Sequence, residues 1–588
     1  LVRDFKNIPL FFKQSFFGGK AYYRPLVMVS FALDYRLFQL NPRGYYLTNL
    51  LLHISTSILV LYLMLFIGVE RRAAVFTSLL FTVHPIHVEA LSNIAGRSIL
   101  LSAFFLVLSL VLYLIYRRHH QKRTVIFASL LCFIAALLSK ESAVVLPGII
   151  LTLEILYAVK HHPQNVRAVI PLSAYFMLMG CYLALRQTLD ITNIPRWASL
   201  TETFLGVMTF VKGGVIHCRL LVWPTDLYFD RTLPYFHQLN DPQLLALVIG
   251  ASLVAVLMAL IFRRLSAPTQ FFILWIVWGY LPVSQFVPVR AFGRQAAAAE
   301  HFAYLPSIGM LLLIVQCLLH VYHKALRGKN LDPRLKNVLG AGLILLFMSF
   351  TINEHTRARH NLTMFQTSLT HNPHNTRVRI SRALTLAKLG RFSEAEEDFR
   401  RVLSDEPANQ TAQIGLGKSL CDQQKYLECL DVYTRAVSLG GPTRLLLDNL
   451  ELTYQLIIKQ YEQQQRRSPQ NPDIPYSIGV MYARQGKPQE AVDYFQQALR
   501  LNPQHPEALF NLAGILDSRG ESDGSRRRAM RYYEDYLRVS LADKNISITP
   551  PVETALKRVH EYYSLHGLEQ MPEFLRRVYE QQLKINHR

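Results

Sequence analysis

Cysteine is scarce in this chain: six in 588 residues, at Cys132, Cys181, Cys218, Cys317, Cys421 and Cys429, with no CxxC among them. Such scatter supports neither a disulfide framework nor a zinc knuckle. No HExxH occurs, and no third histidine stands near the His84-x-x-His87 pair, so no metal or other cofactor is expected. Acidic residues are also short, 41 Asp and Glu against 63 Lys and Arg, for a net charge of +22. A nucleic acid is one partner for such a charge. Its placement argues against that partner, because much of it lies in short connectors such as 117-RRHHQKR-123, as in cytoplasmic loops of membrane proteins. The chain starts at Leu1 without Met or a recognisable signal peptide, and reads as a fragment lacking its natural N-terminus.

What is abundant is apolar: 51% of residues, in long runs before about residue 353 and sparse after it. This reads as an all-α protein, a multi-pass helical membrane domain followed by a soluble one. A spanning helix needs about 20 mostly apolar residues. Ten expected spans follow: 46–67, 73–90, 99–116, 125–139, 142–158, 166–186, 243–262, 269–287, 302–322 and 336–352. An eleventh stretch, 203–223, carries Lys212, His217 and Arg219 in its middle. It is read as an interfacial or re-entrant helix on the outer side, because all five strong basic loops then face the cytoplasm. Leu1 and the soluble tail fall on the opposite side, the periplasm or the ER lumen.

On that topology the stretch 84-HPIHVEALSNIAGR-97 becomes outer, and so do 139-SKES-142, residues 187–242 and 288-PVRAFGRQAAAAE-300. Ionisable groups converging at membrane depth usually serve function, and clustered cations suit a phosphate. Plain structural readings stand beside this one. Pro85 ends a helix at the interface, Lys140-Glu141 is an interfacial ion pair, Arg97 snorkels to headgroups, and Glu300 caps a helix.

After residue 375 a 34-residue period appears. Residues Ala383, Gly390, Ala395, Phe399 and Pro407 mark one unit, and Gly417, Tyr426, Cys429, Tyr433 and Ala436 the next. After an irregular helical piece, Gly479, Gly486, Ala491, Phe495, Ala498 and Pro503 mark another, and Ala513 and Gly520 a fourth. The pattern resembles tetratricopeptide repeats (TPRs), which build an interaction surface rather than a catalyst. The expected division is a membrane domain over 1–355, a linker over 356–375, repeats over 376–545 and a helical cap over 546–588.

Four pieces together resemble a known family, the transmembrane and TPR-containing O-mannosyltransferases (TMTC) and their prokaryotic relatives. They are 22-YYRPLVMVSFALDYRLFQLNPRGYYLTNLLLH-53, 84-HPIHVEALSNIAGR-97, 138-LSKESAVVLPG-148 and 299-AEHFAYLPSIG-309. Their order and the trailing repeats match as well, so the resemblance covers nearly the whole chain. It implies a GT-C-type glycosyltransferase that takes a sugar, mannose in the eukaryotic family, from a polyprenyl- or dolichyl-phosphate. The acceptor is a protein Ser or Thr on the lumenal or periplasmic face, engaged by the repeats. The family's acidic catalytic motif belongs upstream of Leu1, leaving Glu300 as the possible catalytic residue here. His301 stands where the family usually has Arg.

Carried onto this sequence, the resemblance makes Arg24, Arg97, Arg290, Arg294 and His301 candidate phosphate ligands. His84, His87, Glu89 and Tyr304 shape the donor pocket, and Lys140 and Glu141 orient its side chains. The implied partners are the lipid-linked sugar, the acceptor polypeptide and membrane lipid, with no nucleic acid. Two other readings stand open: a non-catalytic membrane scaffold presenting TPRs, and a ligase of lipid-linked glycans. Short outer loops favour a bacterial inner membrane over the ER, although Asn361-Leu-Thr and Asn545-Ile-Ser are glycosylation sequons on the predicted outer side.

Overall fold

The computed structural model describes every residue except 1, 14–21, 119–121, 162–168, 190, 192–198, 287–294, 326–332, 359, 520–522, 543–548 and 587–588. The described residues are overwhelmingly helical and form two compact units, Leu1–Thr385 and Leu386–Arg588.

In the first unit, local chemistry sets the helix limits. Helix Pro42–Ile67 opens with proline in its first turn, where a missing N–H costs nothing. It is capped by the Asn41 side chain and ends at Gly68 in a left-handed conformation. It packs with Arg71–Val83 and Arg97–Arg118, and Arg97–Arg118 in turn packs on Arg123–Ser139, around Leu63, Met64, Phe81, Leu106, Leu110 and Phe133. An apolar surround demands partners for polar groups, and the Ser129 hydroxyl finds them in Tyr175 at 2.6 Å and Ser109 at 3.2 Å.

Four helices among the described residues are long and apolar enough to cross a membrane: Pro42–Ile67, Ile94–Arg118, Leu200–Val222 and Pro242–Phe262. A fifth candidate is the pair Arg71–Val83 and Pro85–Ser92, bent by 48° where Pro85 interrupts the helix. Arg123–Ser139, Ala267–Val283 and Ser307–Tyr322 are apolar but shorter. Helices Leu146–His161, Val169–Thr188 and Pro333–Ala358 occupy three further expected positions. Each of the ten expected spans thus overlaps a helix, with 166–168 and 287 outside the described residues, yet fewer stand alone as full-length spans. The stretch expected to be an interfacial or re-entrant helix, 203–223, forms one unbroken helix, Leu200–Val222, whose central His217 is buried. The break lies instead at the HPIH motif.

One short ribbon matters for the site. Thr232–Pro234 pairs antiparallel with Gln295–Ala297, in the register Thr232↔Ala297. It ties the loop after Leu200–Val222 to the residues before Glu300. Small side chains permit this approach, since Ala296, Ala298 and Ala299 are buried. His217 anchors the ribbon by bonding Ala298 O at 3.1 Å.

Helix Asn361–His371 and the residues up to Thr385 belong to the first unit, ten residues beyond the sequence-based linker end at 375. The reason is a set of ties to loop 226–234. Asn375 Nδ2 donates to Asp230 O at 2.8 Å, Asn372 to Thr232 Oγ1 at 2.6 Å, and Phe365 faces Phe229.

The second unit is a stack of helix pairs, Phe392–Asp405, Gln410–Asp422 and Tyr426–Gly440 continuing to Asp473–Arg484 and Pro488–Leu501. Small residues meet large rings at the expected period. A Cβ on Gly415 would overlap Phe399, one on Gly417 would overlap Tyr433, and one on Gly479 would press on Phe495. Helices Arg444–Arg467, Pro550–His566 and Glu573–Asn586 make up the irregular middle and the end. The reading from cysteine spacing is corrected here, because Cys421 and Cys429 are joined. A search for CxxC cannot register a pair eight residues apart whose members are brought together by a turn.

Candidate active site

The bend at His84 turns the chain so that Glu89 points at the start of the Glu300–Ala303 turn. Glu89 Oε2 accepts from the His301 backbone N–H at 2.9 Å, and its Oε1 meets His301 Nδ1 at 3.1 Å and the Asp230 N–H at 3.3 Å. One carboxylate thus clamps two segments far apart in sequence. Beside it, Glu300 Oε1 accepts from Arg231 Nε at 3.0 Å, and the Arg231 guanidinium lies 3.9 Å over the Tyr228 ring. Burial and the nearby Glu89 push the Glu300 carboxyl above the usual carboxylate range, with Arg231 pulling against them.

Two cavities flank this clamp. The wider, of about 330 Å³, is lined by Glu89, Glu300, Glu354, Arg377 and Ser381 with Tyr46, Tyr228, Phe229 and Phe365. The narrower, of about 50 Å³, has a mostly apolar wall including Ile99, Leu106, Pro282, Val283 and Phe302. Lys140, His301 and Tyr304 line it too. Among the described residues, no hydrogen bond or ion pair within 4.0 Å engages the Lys140 ammonium. Burial, and then the Arg24 charge, bring its pKa down to about 8.

Arg24 is already engaged. It forks onto Glu141, Nε to Oε2 at 3.1 Å and Nη2 to Oε1 at 2.6 Å, and reaches Ser98 Oγ at 3.3 Å. Burial would raise the Glu141 carboxyl, but Arg24 outweighs it and holds it at about 2. Glu141 therefore orients Arg24, and Lys140 is left as the unpaired cation.

Other sequence candidates land elsewhere. Arg97 is fully enclosed, bonding Asp34 Oδ2 at 2.6 Å, Asn49 Oδ1 at 2.6 Å, Ser30 Oγ at 3.2 Å and Tyr45 O at 3.0 Å. With four such partners it has no face for a phosphate, so its assignment as a ligand is corrected to a buried cross-brace. His84 and His87 are buried as well. His84 bonds Leu221 O at 3.0 Å, and neither ring nitrogen of His87 has a partner among the described residues. Both histidines meet a ligand only through neighbours, because rings pack around them: Phe81 at 4.5 Å and Tyr304 at 4.9 Å from His87. Tyr304 donates inward to His53 Nδ1 at 2.7 Å while its ring lines the narrow cavity. Arg290 and Arg294 lie outside the described residues. Among the described residues no group of three or more His, Cys, Asp or Glu is placed to hold a metal.

Sequence reasoning missed Asp34, Asp230, Arg231, Glu354 and Arg377. Asp230 is buried with a positive φ of 57°, an unusual backbone for a residue other than glycine. Its Oδ1 lies 3.4 Å from Arg377 while Oδ2 has no partner. The one signal for this loop was charge among aromatics in 228-YFDR-231.

Fold and site thus define an all-α membrane protein with a TPR array and a buried carboxylate clamp between two cavities. Tetratricopeptide repeat family models match residues 380–442 and 476–505. The chain is similar to human protein O-mannosyl-transferase TMTC3, 24% identical over 87% of this chain and 65% of that protein. It is also similar to *Caenorhabditis elegans* protein O-mannosyl-transferase F38B6.6, 26% identical over 66% and 54% of the two chains. Drosophila Tmtc1, another protein O-mannosyl-transferase, reaches 35% identity over 24% of this chain. The chain thus spans roughly half to two thirds of the length of the first two relatives.

Proposed function

We propose that this chain is an integral-membrane glycosyltransferase. It moves a sugar, mannose by analogy with the named relatives, from a polyprenyl- or dolichyl-phosphate to a protein Ser or Thr hydroxyl on the lumenal or periplasmic face. The observation that carries the reading is Lys140, without a hydrogen-bond or ion-pair partner among the described residues, in a mostly apolar cavity next to the Glu89–His301 clamp, with a cavity holding carboxylates on the clamp's other side. At about 50 Å³ the narrower cavity suits only the anionic head of the donor, and the wider cavity suits an acceptor segment.

In this reading the bond from the sugar C1 to the phosphate oxygen breaks, and the phosphate leaves with the electron pair. Lys140 and His301 stabilise that charge in a site of low dielectric. The acceptor oxygen bonds to C1, and its proton passes to a carboxylate of the wider cavity. Glu300 is the candidate in this chain, since a carboxyl raised by burial is a stronger base near neutral pH. The repeats hold the rest of the acceptor polypeptide. The GT-C mechanism and the absence of a metal or cofactor belong to the same proposal.

Donor binding tests it. A charge-assisted hydrogen bond contributes about 1.5–3 kcal/mol. Lys140→Met should therefore weaken binding of radiolabelled dolichyl-phosphate mannose in detergent about 10–100-fold, with thermal stability no lower than that of the wild type, since the buried charge is itself unfavourable. Wild-type affinity in the variant would remove the donor from this cavity.

A further inference from the structure

We infer that the Cys421–Cys429 disulfide serves the working protein as a staple across a repeat turn that lacks its glycine. Three turns in the second unit share one backbone design. Arg391 N–H bonds Leu386 O at 3.0 Å, Lys425 N–H bonds Leu420 O at 2.9 Å, and Lys487 N–H bonds Tyr482 O at 3.0 Å. Each is a helix C-terminus closed by a residue in the left-handed region, the position that favours glycine. Glycine fills it in two of them, Gly390 at φ 77° and Gly486 at φ 71°. In the middle turn it is Gln424, at φ 62°. An L side chain enters that region at a cost, so this turn holds its shape less readily than its neighbours.

The disulfide spans this turn. Cys421 lies at the end of helix Gln410–Asp422 and Cys429 in the first turn of Tyr426–Gly440, with Cα atoms 5.5 Å apart. That separation is typical of an unforced bridge. Thr453 Oγ1 of the following helix lies 3.5 and 3.6 Å from the two sulfurs, and Cys429 is fully buried. The distribution of thiols agrees. The other four cysteines lie in apolar helices of the first unit, so the two in the second unit have only each other.

Closing the bridge is an exchange reaction. The two thiols lose two protons and two electrons, one S–S bond forms, and the disulfide of an oxidoreductase or of a small-molecule disulfide oxidant is reduced to two thiols. Such oxidants persist outside the cytosol. The staple therefore requires the repeat unit to fold in an oxidising compartment, and this requirement stands whether or not the transferase reading does.

Trypsin provides the test, because Lys425 lies between the two cysteines. The full chain is taken from its membrane, denatured with an alkylating maleimide and digested without reductant. The expected product is peptide 419–425 bonded to peptide 426–435, released only by reductant. Recovery of the two peptides separately, each alkylated, or bonded to another cysteine, would overturn the proposal. The role at the turn has its own reading by hydrogen exchange over residues 410–440 of the full chain. The double variant Cys421→Ser with Cys429→Ser should exchange faster, and adding Gln424→Gly should restore most of the lost protection. An unchanged double variant, or no rescue by Gln424→Gly, would sink the staple's role.

Discussion

Buried charge separates two kinds of cation in this protein. Arg97 and Asp34 sit at 0% and 5% side-chain exposure, 2.6 Å apart. Removing one member of such a pair leaves the other charged and unsolvated, typically costing about 3–5 kcal/mol. Arg97→Ala should therefore yield little folded protein, read by thermal unfolding in detergent. A well-folded variant with a wild-type melting temperature would contradict the cross-brace. Lys140 behaves oppositely because its ammonium has no hydrogen-bond or ion-pair partner among the described residues. Its native pKa of about 8 lies below the ordinary 10.5. Below about pH 8 the cation is present for a phosphate, so donor binding should be strong there and fade as pH rises through that value. The sign for stability is the reverse. The unfolded chain holds this proton more tightly, so without donor the contribution to stability rises from about pH 8 to pH 10.5. Donor binding that stays flat from pH 7 to 9 would count against Lys140 as the phosphate partner.

At the scale of elements, periodicity made the repeats readable and apposition hid the site. Gly417 stands where helices must approach, so the sequence alone located it, whereas Gly415, two residues before it, emerged only from its overlap with Phe399. Placing Leu at Gly415 forces a side chain into the Phe399 ring. Overpacking of this kind costs about 1–3 kcal/mol, and faster hydrogen exchange around residues 395–420 would report it. Unchanged exchange would mean this seam is not tightly packed. Arg97 was legible as a cation at membrane depth, but its partner Asp34 lies 63 residues away and no pattern announces the pairing. Asp230 and Arg231 were harder still. They reach Glu89 and Glu300 only because the Thr232–Pro234 strand pairs with Gln295–Ala297. Pro85 was legible as a helix breaker, whereas the resulting bend, which delivers Glu89 to His301, is a tertiary outcome.

Over the whole molecule, the four motifs that carried the family resemblance do different physical jobs. The Arg24 and Glu141 motifs lock onto one another beside Lys140. The Glu89 and His301 motifs form the clamp between the two cavities. The account's central claim is that this clamp and Lys140 divide a donor cavity from an acceptor cavity. The most direct test is transfer of radiolabelled mannose from dolichyl-phosphate mannose to a panel of Ser/Thr peptides by the full-length protein in detergent. Lys140→Met and Glu89→Gln would be run beside the wild type, with folding checked for each. The account predicts transfer by the wild type, with Lys140→Met losing it together with donor binding and Glu89→Gln losing it while still binding donor. Transfer at wild-type rates by folded Lys140→Met, or no donor binding by the wild type, would contradict it.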